Sequence, residues 1–131
     1  MSIAYGPKKI IRAAGAGSNQ LSDDGANPNA IGRACDLSLY NFASVQLIWS
    51  GLTGTLDGVL SIEVSDDGTN WDTKTIQVAG VTVDAKITVS GAAGNDSISI
   101  DLLTERYYRA RWTKTGVTGG LVTCILIAKG S

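Results

Sequence analysis

This sequence predicts an all-β protein: a single antiparallel β-sandwich of about eight or nine strands with jelly-roll or Greek-key-like connections. Apolar and polar residues alternate with period two through much of the chain. No window of about 11 residues places apolar side chains at the i, i+3, i+4, i+7 spacing of a helix. Glycine, with 16 occurrences against 2 prolines, punctuates runs rich in Val, Ile and Thr. Those runs recur about every 8–15 residues, the rhythm of a sandwich or barrel. A length of 131 residues suits one domain with a core of its own. No fixed-period repeat is present, which disfavours a propeller or solenoid.

Residues 1–32 read as an extended N-terminal arm and residues 33–131 as the sandwich. Lys8 to Ala14 is a short candidate strand behind a Gly6-Pro7 break. Gly15 to Gly32 is a loop of Gly, Asn, Asp and Ser, long enough to be either a surface loop or an arm ordered by another subunit. Strands are expected at Arg33–Leu39 and Ala43–Ser50, the second with Val45, Leu47 and Trp49 on one face, followed by a turn at Gly51–Gly54.

Leu56 to Trp71 is the clearest hairpin. Leu60, Ile62 and Val64 form its buried face. Ser65 to Asn70 then supplies turn chemistry: Asp66 and Asp67 can close Asx turns, Gly68 is free to take a positive φ, and Asn70 suits the turn. Trp71 opens the next strand, where its ring would cap the core edge. Beyond it, Trp71–Val78 alternates less cleanly. Val81, Val83, Ala85, Ile87 and Val89 mark one face of a strand from Val81 to Val89. Ser90–Asn95 is a loop, and Ser97–Leu102 a strand with Ile98, Ile100 and Leu102 inward. Arg106–Thr113, a Gly116–Gly120 turn and Leu121–Ala128 complete the chain.

Two strands bear on function. In Arg106–Trp112, alternation turns Tyr108, Ala110 and Trp112 to the core and Tyr107, Arg109 and Arg111 outward. Such a face can stack on bases or sugars, bind phosphate or carboxylate, pair with neighbouring acids, or form an Arg- and Tyr-rich interface. The interface reading is preferred. The final strand is apolar on both faces, with Leu121, Ile125 and Ile127 opposed to Val122, Cys124 and Leu126. A strand of that kind is central in a sheet or covered by a partner. Tyr107, Arg109, Arg111, Leu121, Ile125 and Ile127 are therefore the candidate interface. Asp66, Asp67, Gly68, Asn70 and Trp71 are assigned to a structural turn.

Histidine is absent, which removes Ser-His-Asp and Cys-His nucleophiles and His-ligated metals. A carboxylate-only enzyme remains the sole catalytic alternative, but the acids fall mostly in turns or on polar faces, so no catalytic residue is assigned. Asp66 to Asn70 lacks the ligand spacing of an EF-hand, and no metal or cofactor is expected. With 11 basic against 12 acidic residues, charge gives no support for a nucleic-acid partner. No apolar run is long enough to span a membrane. The first residues lack the apolar core of a secretory signal, so synthesis in the cytoplasm is expected. Cys35 and Cys124 form no C-x-x-C pair and read as buried thiols; a bridge would need their Cα atoms within about 7 Å.

Val59 to Trp71, ending Ser65-Asp66-Asp67-Gly68-Thr69-Asn70-Trp71, and Arg106 to Lys129, with Tyr107-Tyr108-Arg109, together resemble small β-sandwich structural proteins of tailed-bacteriophage virions. The resemblance runs from about Phe42 to the end. It implies a non-enzymatic virion component made in the host cytoplasm. The first choice is a capsid decoration (cement) protein on the capsid surface, with head-fibre and tail accessory proteins as the other types. The implied partners are the major capsid protein or other virion proteins and further copies of the chain, as dimer or trimer. The competing reading is a carbohydrate-binding β-sandwich module of a fibre or tail. That reading needs a row of exposed aromatics drawn from Tyr40, Trp49, Trp71, Tyr107 and Trp112.

Overall fold

The computed structural model describes residues 8–12, 21–23, 29–32 and 34–129. Its strands form the antiparallel β-sandwich expected from the alternation. The first sheet runs β1 (Lys8–Arg12), β13 (Val117–Lys129), β5 (Phe42–Gly54), β11 (Gly94–Ile100), with β2 (Leu21–Asp23) also on β13. The second runs β10 (Lys86–Thr88), β6 (Gly58–Ser65), β12 (Tyr107–Lys114), β3 (Asn29–Ile31). In that sheet β4 (Cys35–Asp36) adds to β12 and β7 (Asp72–Thr73) to β6. A separate hairpin joins β8 (Thr75–Val78) to β9 (Val81–Asp84). From β10 to β13 successive strands alternate between the two sheets, the mark of Greek-key-like wiring.

Side-chain alternation explains the core. Val45, Leu47 and Trp49 of β5 and Val122, Cys124 and Leu126 of β13 face inward from the first sheet. Leu60, Ile62 and Val64 of β6, with Tyr108 and Trp112 of β12, meet them from the second. Two tryptophans lie against glycines. A Cβ on Gly58 would stand 2.0 Å from Cη2 of Trp112, and one on Gly94 2.9 Å from Cζ2 of Trp49. The Trp49 indole N–H donates to the Gly91 carbonyl at 3.2 Å. Each ring occupies the volume that any other residue would take.

Several boundaries differ from expectation. Gly51–Gly54 does not turn the chain: β5 continues to Gly54, with Gly51 and Gly54 at φ 64° and 82°. Its pairing with β13 shifts register on both sides of Gly119, so the glycines serve bulges that bend two long strands together. The expected Gly116–Gly120 turn is correspondingly shorter, because β13 starts at Val117. Of Arg33–Leu39 only Cys35 and Asp36 pair as a strand. Ser38 N–H donates to Asp36 Oδ1 (3.0 Å) and Tyr40 N–H to the Leu37 carbonyl (3.0 Å), closing a turn that leaves Leu39 exposed.

Val81–Val89 is divided in two. Ala79 and Gly80, at φ 52° and 82°, make the two-residue turn that folds β9 back on β8. Ala85 then anchors the chain to the core by donating its N–H to Lys74 O and accepting from Ile62 N–H. Ala85, Ile87 and Val89 are buried, whereas Val81 and Val83 are exposed. Leu102 is exposed as well, since β11 stops at Ile100 and Leu103 N–H turns to the Asn41 carbonyl.

Within the stretch read as an arm, Lys8–Arg12 pairs with β13, Leu21–Asp23 with β13 and Asn29–Ile31 with β12. These segments are strands of the sheets, and the small Ala30 is buried against the core. The Gly6-Pro7 break, residues 13–20 and 24–28, Arg33, Gly130 and Ser131 lie outside the described residues.

Gly58→Ala drives a methyl into the Trp112 ring. The expected loss is about 1–3 kcal/mol of unfolding free energy, read as a lower urea midpoint with unchanged slope.

Candidate interaction surfaces

On β12 the inward Tyr108 and Trp112 oblige Tyr107, Arg109 and Arg111 to point outward. The register sets Arg109 opposite Glu63 of β6. Glu63 Oε1 accepts from Arg109 Nε at 2.7 Å and Oε2 from Arg111 Nε at 2.9 Å. The side chains are 14% (Glu63), 19% (Arg109) and 25% (Arg111) exposed, so the cluster is mostly withdrawn from water. Burial pushes the Glu63 carboxyl up, but the two guanidinium hydrogen bonds and charges outweigh it and hold it below the ordinary 4.5. The Arg109 guanidinium also lies 4.0 Å from the centre of the Trp71 ring, a cation–π contact. Nearby, Arg106 pairs with Asp36 at 3.1 Å and sits over the Tyr107 ring.

The turn after β6 closes on one carboxylate. Asp67 Oδ1 accepts the N–H groups of Thr69 and Asn70 at 2.8 Å each, and Oδ2 accepts from the Asn70 side-chain amide at 2.7 Å. Ser65 Oγ donates to Asp67 and accepts from Gly68 N–H. Gly68 takes φ 77°, and Asp66 Oδ1 accepts from Arg106 N–H. The backbone donors of Asn70 and Thr69 hold the Asp67 carboxyl far below the usual range. Both carboxylate oxygens of Asp67 are thus engaged in holding the turn.

A buried ionic cluster lay beyond the reach of sequence reasoning. Lys74, between β7 and β8, is 7% exposed. Its Nζ is 2.9 Å from Glu105 Oε1. The same oxygen accepts from Thr104 Oγ1 (2.9 Å) and from the Tyr108 hydroxyl (2.8 Å). Burial raises the Tyr108 phenol, and its bond to Glu105 adds to the rise. The only signal was a lysine within Trp71–Val78, a run whose alternation is already broken.

The outer face of the first sheet is chemically different. Register places Leu121, Thr123, Ile125 and Ile127 of β13 beside Ser50, Ile48, Gln46 and Ser44 of β5. Asn95, Ser97 and Ser99 of β11 continue the same rows. Among the described residues, from Leu121 to Ile127 of β13 and across β5 and β11, these rows carry no charged residue. At their margin the register sets Arg12 of β1 beside Ile125 and Lys8 beside Lys129. Leu121, Ile48 and Phe42 are 47%, 39% and 38% exposed. The six candidate interface residues therefore divide between opposite outer faces. Tyr107, Arg109 and Arg111 lie on the second sheet, and Leu121, Ile125 and Ile127 on the first.

Cys35 and Cys124 are both buried, with no disulfide. Burial, with a contribution from Cys35, pushes the Cys124 thiol up to about 12. Among the described residues no three of His, Cys, Asp and Glu stand together in a way that could hold a metal ion, and no helix is long and apolar enough to cross a membrane.

Neither a family model nor a curated protein sequence matches the chain. Solved structures do. The SPBc2 prophage-derived protein YomS is similar over 99% of both chains, with a TM-score of 0.66 at 12% identity. The likeness shows a shared fold. The cleaved adhesin domain of Lys-gingipain from Porphyromonas gingivalis aligns over 97% of this chain and 93% of that one, with TM-score 0.51 and 12% identity. Tailspike protein 4 of bacteriophage CBA120 matches over 93% of this chain but 19% of its own, with TM-score 0.51 and 8% identity.

Glu63 has a depressed folded pKa, so its contribution to stability is complete above the ordinary 4.5 and fades as pH falls through the lower folded value. Glu63→Gln is expected to lose about 1–2 kcal/mol at neutral pH, discounted for partial exposure. The gap to wild type should narrow in urea titrations repeated below the ordinary carboxylate range.

Proposed function

We propose that this protein is a non-enzymatic structural component of a phage virion, of the capsid decoration (cement) type. It would act by burying the neutral rows of β5, β11 and β13 on the outer face of its first sheet against neighbouring subunits. The observation that carries this reading is the field of Leu121, Ile125, Ile127 and Ile48 interspersed with Ser, Thr and Gln. Covering a charged surface means stripping water from each ion; covering these rows removes apolar area and a few neutral polar groups, which cost far less. Lys8, Arg12 and Lys129 lie at their margin. The full-length likeness to a prophage-derived protein supports a viral setting.

The mechanism is contact area. A subunit that covers a seam between shell proteins adds the free energy of its own interfaces to that needed to open the seam, and a standard interface takes about 800 Å² from each partner. The partners are the major capsid protein or another virion protein, and copies of this chain in a dimer or trimer. The site of action is the capsid surface after synthesis in the host cytoplasm. The arginine face of the second sheet takes the lesser role, because Glu63 already neutralises Arg109 and Arg111 within the subunit. A carbohydrate-binding module has less support. Trp49 and Trp112 are buried, and Trp71 is stacked by Arg109.

Ile48→Lys combined with Leu121→Lys places two cations on the exposed field. Sedimentation velocity should show wild type as a dimer or trimer and the double variant as a folded monomer with unchanged circular dichroism. Equal association of the two proteins would reject this face as the interface.

A further inference from the structure

The separate β8–β9 hairpin stands beside a free sheet edge. β11 is the last strand of the first sheet, and among the described residues no strand pairs with its outer side. Ser97 N–H donates to the carboxylate of its own neighbour, Asp96 Oδ1, at 2.8 Å, so it points away from β5. By the alternation of an antiparallel ladder, Asn95 and Ser99 turn their peptide groups the same way. This is an unpaired row of donors and acceptors, blunted at one position by an aspartate.

The hairpin supplies an apolar wall. Its register pairs Ile76 with Val83 and Val78 with Val81, so all four share one face, while Thr75, Gln77, Thr82 and Asp84 share the other. Ile76 packs against the core, but Val78, Val81 and Val83 are 53%, 60% and 39% exposed. Between the hairpin and the edge runs a groove of about 440 Å³ lined by Ile76, Gln77, Val78, Val83 and Asp84 on one side and residues Asp96 to Ser99 on the other. Its charges are Asp84, Asp96 and Asp101 against the single Lys86, a net negative lining.

We propose that this groove accepts an extended segment of another protein chain, apolar at alternate positions with lysine or arginine between them, which adds as a strand to β11. An added strand satisfies the outward peptide groups of Asn95, Ser97 and Ser99, as in strand-addition recognition. Alternate apolar side chains then cover Val78 and Val83, and the intervening cations meet Asp84, Asp96 and Asp101. Asp96 exchanges the Ser97 N–H for a lysine, so the edge guard becomes part of the recognition. The assignment is independent of the proposed virion role and rests on the peptide edge of β11 rather than on the side chains of the first sheet's outer face.

The probe is a blocked seven-residue peptide alternating valine and lysine, titrated into the isotopically labelled full-length protein. Amide shifts are expected at Asn95–Ser99 and Val78–Asp84, and replacing the peptide's lysines by glutamate should weaken binding by at least about tenfold. Ser97→Pro removes an outward N–H at an edge position that tolerates proline, and Val78→Thr with Val83→Thr removes the apolar wall at exposed positions. Both variants should retain the wild-type fold by circular dichroism and lose at least about tenfold in affinity. Absence of binding, shifts centred away from the groove, equal affinity for the glutamate peptide, or undiminished binding by the Val→Thr variant would each overturn the proposal. If Ser97→Pro unfolds the protein, the Val→Thr variant decides.

Discussion

The fold depends on a steric agreement between two aromatic rings and two glycines. Trp112 and Trp49 fill the space between the sheets only because Gly58 and Gly94 present bare backbone to them. Interiors are packed nearly as tightly as organic crystals, so a large planar ring needs a smooth surface opposite it. With Trp112 in place, Tyr108 on the same strand face is set beside Glu105 and Lys74. The opposite face of β12 then has one outcome: Tyr107, Arg109 and Arg111 point to the outside of the second sheet.

From that follows the contrast between the two outer faces. The second sheet gathers its charges into a cluster in which one carboxylate binds two guanidinium groups and a tryptophan ring lies under one of them. Such a surface is already satisfied. The first sheet gathers apolar and small neutral side chains on strands long enough to present a broad area. Desolvation is cheap over the neutral rows of β5, β11 and β13, with the cations of β1 and Lys129 at their margin. Association by this sheet uses outward side chains, whereas strand addition uses the peptide groups along the β11 edge.

Much of the fold was legible because period-two alternation is a direct image of a two-layer core. The inward Leu60, Ile62 and Val64 of β6, Val45, Leu47 and Trp49 of β5, and the division of β12 into core and outer residues all follow from it. Alternation is blind to where a strand leaves its sheet. Val81 and Val83 share the parity of Ala85 and Ile87, yet the positive φ of Ala79 and Gly80 folds them into a hairpin of their own. Glycines in Gly51–Gly54 and Gly116–Gly120 read as turns because the same φ preference serves turns and bulges alike. The candidate surfaces were legible by residue but not by place: nothing in the sequence tells that Arg109 and Ile125 face opposite ways. The ion pairs are long-range contacts, Glu63 with Arg111 and Lys74 with Glu105, and pairing of that kind appears only once register is fixed.

The most direct test of the account is electron cryomicroscopy of the assembled particle that carries this protein. The account requires density from neighbouring subunits against Ile48, Leu121, Ile125 and Ile127, with Glu63, Arg109 and Arg111 left toward solvent. A particle in which the first sheet faces open solvent and the arginine face makes the contacts would contradict it.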